Sequence, residues 1–288
     1  MNKEKMGNDI SIGLITATNE EYQSIYELLT KQSTDSNIDS NIETKAILKE
    51  TKDKIPSIPF PYFIHNFDFI SNDKIYKIKL IIIKSGFGKL NAVSASTFLL
   101  ERYKIDIIIN FGACGSLSKK NKDIKPEEIQ LGDFVLPSII YESSYVAFKE
   151  NKNSENSGNF NENKTFIGLN KIESLIHKEI IQKYYFVKEV KAFSSDMDID
   201  SNEKRNFIKK FFKADICDWE SFAIRKTAHL WKIPSIIFRV VSDFADESFL
   251  EDYKRNLNNI LNKGAKFLLN ELLPIACKIY ISELNLKR

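Results

Sequence analysis

Apolar residues along the chain fall into short β-branched runs separated by stretches of helical spacing. Residues 10–17 form the first such run and predict a buried strand. From about Asn19, the residues Tyr22, Ile25, Tyr26, Leu28 and Leu29 recur at helical spacing. Residues 75–83 predict a second strand, broken by Ser85-Gly86-Phe87-Gly88. A helix over 91–103 follows, with Ala92, Ala95, Phe98 and Leu99 turned to a sheet. Residues 106–111 predict a third buried strand that ends in a small-residue turn, Gly112-Ala113-Cys114-Gly115. Leu131-Gly132-Asp133 opens a strand to about Tyr141. Beyond it the pattern predicts helices near 171–184, 201–212 and 220–231, strands near 187–193, 214–217 and 235–241, and a long C-terminal helix from about Leu250. Strands alternating with helices predict an α/β fold with a largely parallel or mixed sheet covered on both faces. No repeat or linker divides the chain, so 1–288 reads as a single domain. Polar, weakly patterned stretches near 31–60 and 150–165 read as insertions.

Composition narrows the function classes. Net charge is only +3 and the charges are interspersed, which argues against a nucleic-acid partner. The apolar runs are too short for a membrane span. Cys114, Cys217 and Cys277 are odd in number and widely spaced, which favours free thiols and a reducing, cytoplasmic compartment. His65, His177 and His229 are not spaced as metal ligands, and no metal or cofactor is expected. Gly86-Phe87-Gly88 lacks the third glycine of a dinucleotide fingerprint, and no Walker A pattern occurs.

In open α/β sheets, ligands bind beyond the carboxyl ends of strands. Four segments occupy such ends. In Thr18-Asn19-Glu20-Glu21, Thr18 and Glu21 have the spacing of a helix capping box, and Glu21 is also a candidate ligand group. Gly112 to Gly115 would let a ligand approach the backbone or would serve tight packing. In Asp218-Trp219-Glu220-Ser221, Asp218 is a candidate helix cap and Glu220 would gain from the helix dipole. The fourth segment, Arg239 to Asp246, is unusual. A buried strand carries an arginine and ends in Ser242-Asp243, and buried arginine needs partners; Glu21 and Glu220 are the candidates.

Taken in order, these segments resemble the 5′-methylthioadenosine/S-adenosylhomocysteine nucleosidases of the nucleoside phosphorylase superfamily. The resemblance rests on Ile12-Gly13-Leu14-Ile15-Thr16-Ala17 with Glu20-Glu21, Ser85 to Ala92, Asn110 to Gly115, Leu131-Gly132-Asp133, Asp218-Trp219-Glu220 and Arg239 to Asp246. It implies a three-layer α/β/α sandwich around a mixed, partly barrel-like sheet, a homodimer, a small nucleoside substrate and no cofactor. It further implies that Glu21 activates water and Asp243, preceded by Ser242, is the catalytic acid. Glu220 would bind the ribose hydroxyls beside Trp219, a position usually Met. Arg239 would stand beside the water site, and Ala113-Cys114-Gly115 would form the ribose-side backbone. The base-binding stretch falls on residues 193–199, ending in Ile199, with Asp198 where the family commonly has a stacking aromatic. Tyr145 and Phe148 fall where relatives line the 5′-substituent pocket. Hydrolysis of a purine nucleoside is the expected activity. A phosphorylase and a nucleoside-binding or storage relative are the alternatives. Asn19-Glu20-Glu21 after the first strand, in place of a phosphate-binding arginine loop, favours water as the nucleophile.

Overall fold

Alternate residues of the central strands pack into two separate helical layers, and this places the sheet in the middle of the molecule. The computed structural model describes residues 9–32, 60–71, 73–118, 128–142 and 165–286. In chain order the first elements are β1 (Asp9–Thr16), α1 (Asn19–Gln32), β2 (Tyr62–Ser71), β3 (Lys74–Lys84), α2 (Lys89–Tyr103), β4 (Ile107–Ser116), β5 (Phe134–Glu142) and β6 (Thr165–Ile167). They are followed by α3 (Lys171–Lys183), β7 (Val187–Ser194), α4 (Asn202–Phe212), β8 (Ile216–Asp218), α5 (Ser221–Leu230), β9 (Ser235–Asp243), α6 (Phe249–Phe267) and α7 (Leu273–Asn285). Ile12 and Leu14 of β1, Ile107 and Ile109 of β4, and Ile236 and Phe238 of β9 pack with α1, α6 and α7. Ile15, Ile108 and Ile237, one position out of phase, pack with α2 and α5. The period of two in the strands therefore divides one sheet between two helical layers.

The strand order is β2-β3-β1-β4-β8-β7-β5-β6, and β9 pairs with both β4 and β5. The strands β4, β8, β7, β5 and β9 thus close into a ring, while β1, β3 and β2 extend from it as an open sheet. Parallel pairs (β1–β4, β4–β9, β5–β7) mix with antiparallel ones (β2–β3, β4–β8, β5–β9). The expected sandwich around a mixed, partly barrel-like sheet is the fold observed. Among the described residues no helix is long and apolar enough to cross a membrane.

Three features depart from the apolar pattern. Gly112 to Gly115 is not a turn: β4 continues through it to Ser116. Small residues there let side chains cross close to the strand, and a Cβ on Gly112 would stand 2.6 Å from Glu21 Oε1. The strand β2, unannounced because its apolar residues occupy both phases, pairs along its whole length with β3. The C-terminal helix is interrupted by a π-turn at Leu268–Leu272. Pro274, which has no N–H to donate back along the helix, follows directly and accounts for the wider turn.

At Gly264 the helix α6 lies against the ring, where an added Cβ would fall 2.5 Å from Val240 Cγ2 and 3.1 Å from Phe111 Cε2. Gly264→Ala should therefore destabilise the protein by about 1–3 kcal/mol through overpacking, against the ~1 kcal/mol that alanine normally gains in a helix. Urea unfolding of the two proteins measures the difference.

Candidate active site

The carboxyl ends of β1, β4, β7 and β9, with β8 and the start of α6, enclose a cavity of about 260 Å³. That is near the lower edge of the roughly 300–1,000 Å³ range of small-molecule sites. Its wall contains Glu21, Ala113, Cys114, Gly115, Ile199, Trp219, Glu220, Ser242 and Asp243, so the fold brings together nearly all the residues singled out in the sequence. Arg239 is the exception: it is fully buried but is not part of the cavity wall. Tyr145 and Phe148 lie outside the described residues.

Glu21 caps its helix and also lines the cavity. Its backbone N–H donates to Thr18 Oγ1 at 3.1 Å, and its Oε2 accepts from Thr18 N–H at 3.1 Å, a reciprocal capping box. The same oxygen accepts from Ala17 N–H at 2.8 Å. The other oxygen, Oε1, accepts from Ala113 N–H on β4 at 2.9 Å. Capping thus fixes the carboxylate at the cavity wall. Burial raises its pKa; Arg239 and the three backbone donors act against that rise without reversing it.

Glu220 precedes α5 at the N-cap position but does not cap it. Asp218 does, accepting from Ser221 N–H at 3.1 Å. The Glu220 side chain is thereby directed to the cavity, where Oε1 accepts from Gly88 N–H at 2.9 Å. Asp218 is also the principal partner of the buried arginine, a role the sequence did not disclose: Arg239 Nε donates to Asp218 Oδ2 at 3.0 Å. The same guanidinium donates to Asn110 Oδ1 and Ser221 Oγ, and stands 4.0 Å from Glu220 Oε2. Burial opposes its charge, but Asp218, Glu220 and Glu21 outweigh burial and hold its pKa above the ordinary value. Arg239 therefore acts from behind the wall, as a counter-charge to the carboxylates.

Burial pushes Glu220 up to about 8, with Arg239 acting against it and Asp218 with it. The ordinary value is 4.5, so between pH 4.5 and 8 the folded chain keeps a proton that the unfolded chain releases. The ligand-free protein should therefore lose stability as pH rises through this window, by up to about 1.4 kcal/mol per pH unit from this group. Glu220→Gln should flatten that slope. Urea midpoints measured from pH 5 to 8 test it.

Asp243 owes its aim to an irregularity between β4 and β9. Cys114 opposes Val241 and Gly115 opposes Asp243, so Ser242 is the extra residue of a β-bulge. Ser242 Oγ donates to Asp243 Oδ2 at 2.6 Å, and Ala245 N–H donates to Oδ1 at 2.8 Å. Burial raises the pKa of Asp243 against both donors, which favours the acid form. Only glycine fits opposite: a Cβ on Gly115 would stand 2.9 Å from Asp243 Oδ1.

Asp198 also lines the wall and is exposed to solvent, while Phe193, Met197 and Ile199 add apolar surface. Trp219 meets Phe87 edge to face at a centroid distance of 5.6 Å. Phe249, Leu250 and Tyr253 add a wall from α6 that sequence reading missed, because helical apolar spacing carries no mark of a pocket. Among the described residues, no three His, Cys, Asp or Glu side chains are grouped so as to hold a metal ion.

Comparison with known proteins agrees with this architecture. The family model described as "Phosphorylase superfamily" matches residues 11–273. The 5′-methylthioadenosine/S-adenosylhomocysteine nucleosidase of Buchnera aphidicola subsp. Baizongia pistaciae is 26% identical over 282 residues, covering 94% of this chain and 92% of that protein. The protein of the same name from Staphylococcus haemolyticus is 27% identical, over 69% of this chain and 89% of its own. Among solved structures, a Helicobacter pylori 5′-methylthioadenosine/S-adenosylhomocysteine nucleosidase in complex with butyl-thio-DADMe-Immucillin-A superposes with a TM-score of 0.63 at 19% identity, covering 92% of this chain and 97% of that one. The futalosine hydrolase of the same organism gives 0.63 at 20% identity, covering 95% and 98%. With the fold, the ordered segments and the family model in agreement over nearly its whole length, the chain belongs to the phosphorylase superfamily.

Proposed function

We propose that this protein is a purine nucleosidase that hydrolyses the N-glycosidic bond of 5′-methylthioadenosine- or S-adenosylhomocysteine-like nucleosides. The observation that carries the reading lies along β4. Two residues apart on that strand, Ala113 holds Glu21 and Gly115 faces Asp243, so two buried carboxyl groups border one cavity, Glu21 with Arg239 as its counter-charge and Asp243 without one. Glycoside cleavage needs such a pair, one group to protonate the leaving group and one to activate water. Asp243 gives its proton to N7 of the purine, which departs neutral as the bond to C1′ breaks. Glu21 takes a proton from water as the water oxygen bonds to C1′. Glu220 accepts from the ribose hydroxyls and fixes the sugar's geometry, with its carboxyl oxygens placed to favour positive charge developing on the sugar. Arg239 keeps the adjoining carboxylates in place.

The choice of water over phosphate has structural support. The N–H groups of Ala17, Thr18 and Ala113 would suit an anion, and the carboxylate of Glu21 already occupies them. The nucleosidase names of the curated relatives agree with this choice. Apolar groups from α6 and the base-end segment suit a thioether substituent. A homodimer fits the exposed run Phe87, Leu90 and Val93 beside the cavity mouth. A single domain in a reducing, cytoplasmic setting fits the three buried free thiols.

The purified protein should release free purine from 5′-methylthioadenosine and S-adenosylhomocysteine without phosphate, as followed by chromatography of the products. A phosphate requirement would make it a phosphorylase. No release from a panel that also includes adenosine and inosine, with and without phosphate, would overturn both enzyme readings.

A further inference from the structure

The helix α2 begins without a cap of its own, because its N-cap residue is Gly88. The first N–H groups of a helix have no partner within it. Here two consecutive ones are taken by carboxylates from distant parts of the chain. Gly88 N–H donates to Glu220 Oε1 at 2.9 Å, and Lys89 N–H donates to Asp196 Oδ1 at 2.7 Å. The side chain of Lys89 is held as well, its ammonium donating to Glu142 Oε1 at 2.7 Å. Gly88 has φ 87°, and a Cβ there would stand 2.9 Å from Asp196 Oδ1, so glycine alone permits this grip.

Asp196 is not itself part of the cavity wall, but Ser195 before it and Met197, Asp198 and Ile199 after it are. One glycine turn therefore holds the ribose carboxylate by one N–H and the base-end segment by the next. We propose that Asp196 is a positioning residue that couples the two ends of the cavity through this turn; the inference rests on the nucleosidase reading. A ligand at one end orders the Gly88–Lys89 turn, and the other end then binds at a lower ordering cost.

The two products of the proposed reaction, adenine and 5-methylthioribose, probe the ends separately by calorimetric titration. In the unsubstituted protein, saturating 5-methylthioribose should tighten adenine binding about fivefold or more. In Asp196→Ala both ligands should still bind, with the enhancement reduced to about onefold. Asp196→Asn should retain the enhancement, since its Oδ1 still accepts from Lys89 N–H. Equal enhancement in the parent and Asp196→Ala, loss of it in Asp196→Asn, or none in the parent would overturn the coupling. Failure of the parent to bind either product would overturn the nucleosidase reading and this inference with it.

Discussion

Asp243→Asn should lower turnover of 5′-methylthioadenosine by about three orders of magnitude, within the span of roughly 10²–10⁴ assigned to a single acid–base group. The amide has nearly the same shape and cannot donate the proton that the purine needs. Its oxygen would still accept from Ala245 N–H, and its amino group would donate to Ser242 Oγ, so both contacts of the parent side chain survive. Removal of a buried carboxyl whose pKa burial has raised also removes a desolvation cost. The variant should therefore melt at or above the parent temperature and still bind substrate, with the loss confined to kcat. A lowered melting temperature with kcat near normal would mark Asp243 as structural. A riboside whose leaving group departs without protonation should lose far less than the purine nucleoside, and the ratio of the two losses isolates the acid's share.

Glu21→Gln should cost activity by about 10²–10³-fold, because a neutral amide cannot accept the proton of water. Unlike Asp243→Asn, it should also cost stability. Glu21 accepts three backbone N–H groups, two on Oε2 and one on Oε1. Glutamine offers one oxygen, so either Ala113 N–H or the Ala17 and Thr18 pair would face an amino group. A buried donor left without an acceptor costs about 1–3 kcal/mol. Thermal melting alongside kcat/KM measures both effects. A fall in stability with full activity would reduce Glu21 to its capping role. Equal loss in Glu21→Asp, whose shorter side chain keeps the charge but withdraws from Ala113, would show that position matters as much as charge.

Where one segment alone determines the outcome, the sequence made it legible. The buried runs of β1, β3, β4 and β9 appear as apolar stretches because helices cover both faces of those strands. Glu21, Glu220 and Asp243 stood out at separate strand ends, in the order that the resemblance supplied. What stayed hidden depends on which segments meet. Asp218 looked like a helix cap, and it is one, but its second oxygen clamps Arg239 from 21 residues away. Gly112 to Gly115 looked like a turn because smallness serves turns and close crossings alike; the carboxylate that needs the room is that of Glu21, in the first turn of α1. Tyr253 and its neighbours wall the cavity through the placement of α6, which no local spacing encodes. Where the resemblance places base binding, Asp198 is exposed, and Phe193 and Met197 provide the apolar surface.

The closed ring of β4, β8, β7, β5 and β9 has a consequence for amide hydrogen exchange. A strand at an open edge detaches by breaking one ladder, whereas each member of a closed ring is held on both sides. Amides of β4 and β9 should therefore exchange only through global unfolding, and those of β2, at the outer edge of the sheet, should exchange first. Asp243 and the backbone that holds Glu21 sit on the slowest-opening hoop of the molecule, while Gly88 and Asp196 lie beyond its rim. On the proposed reading, the groups that cleave the bond would be borne by the slowest-opening part of the sheet, and any adaptation to a ligand would fall to the turn beside it.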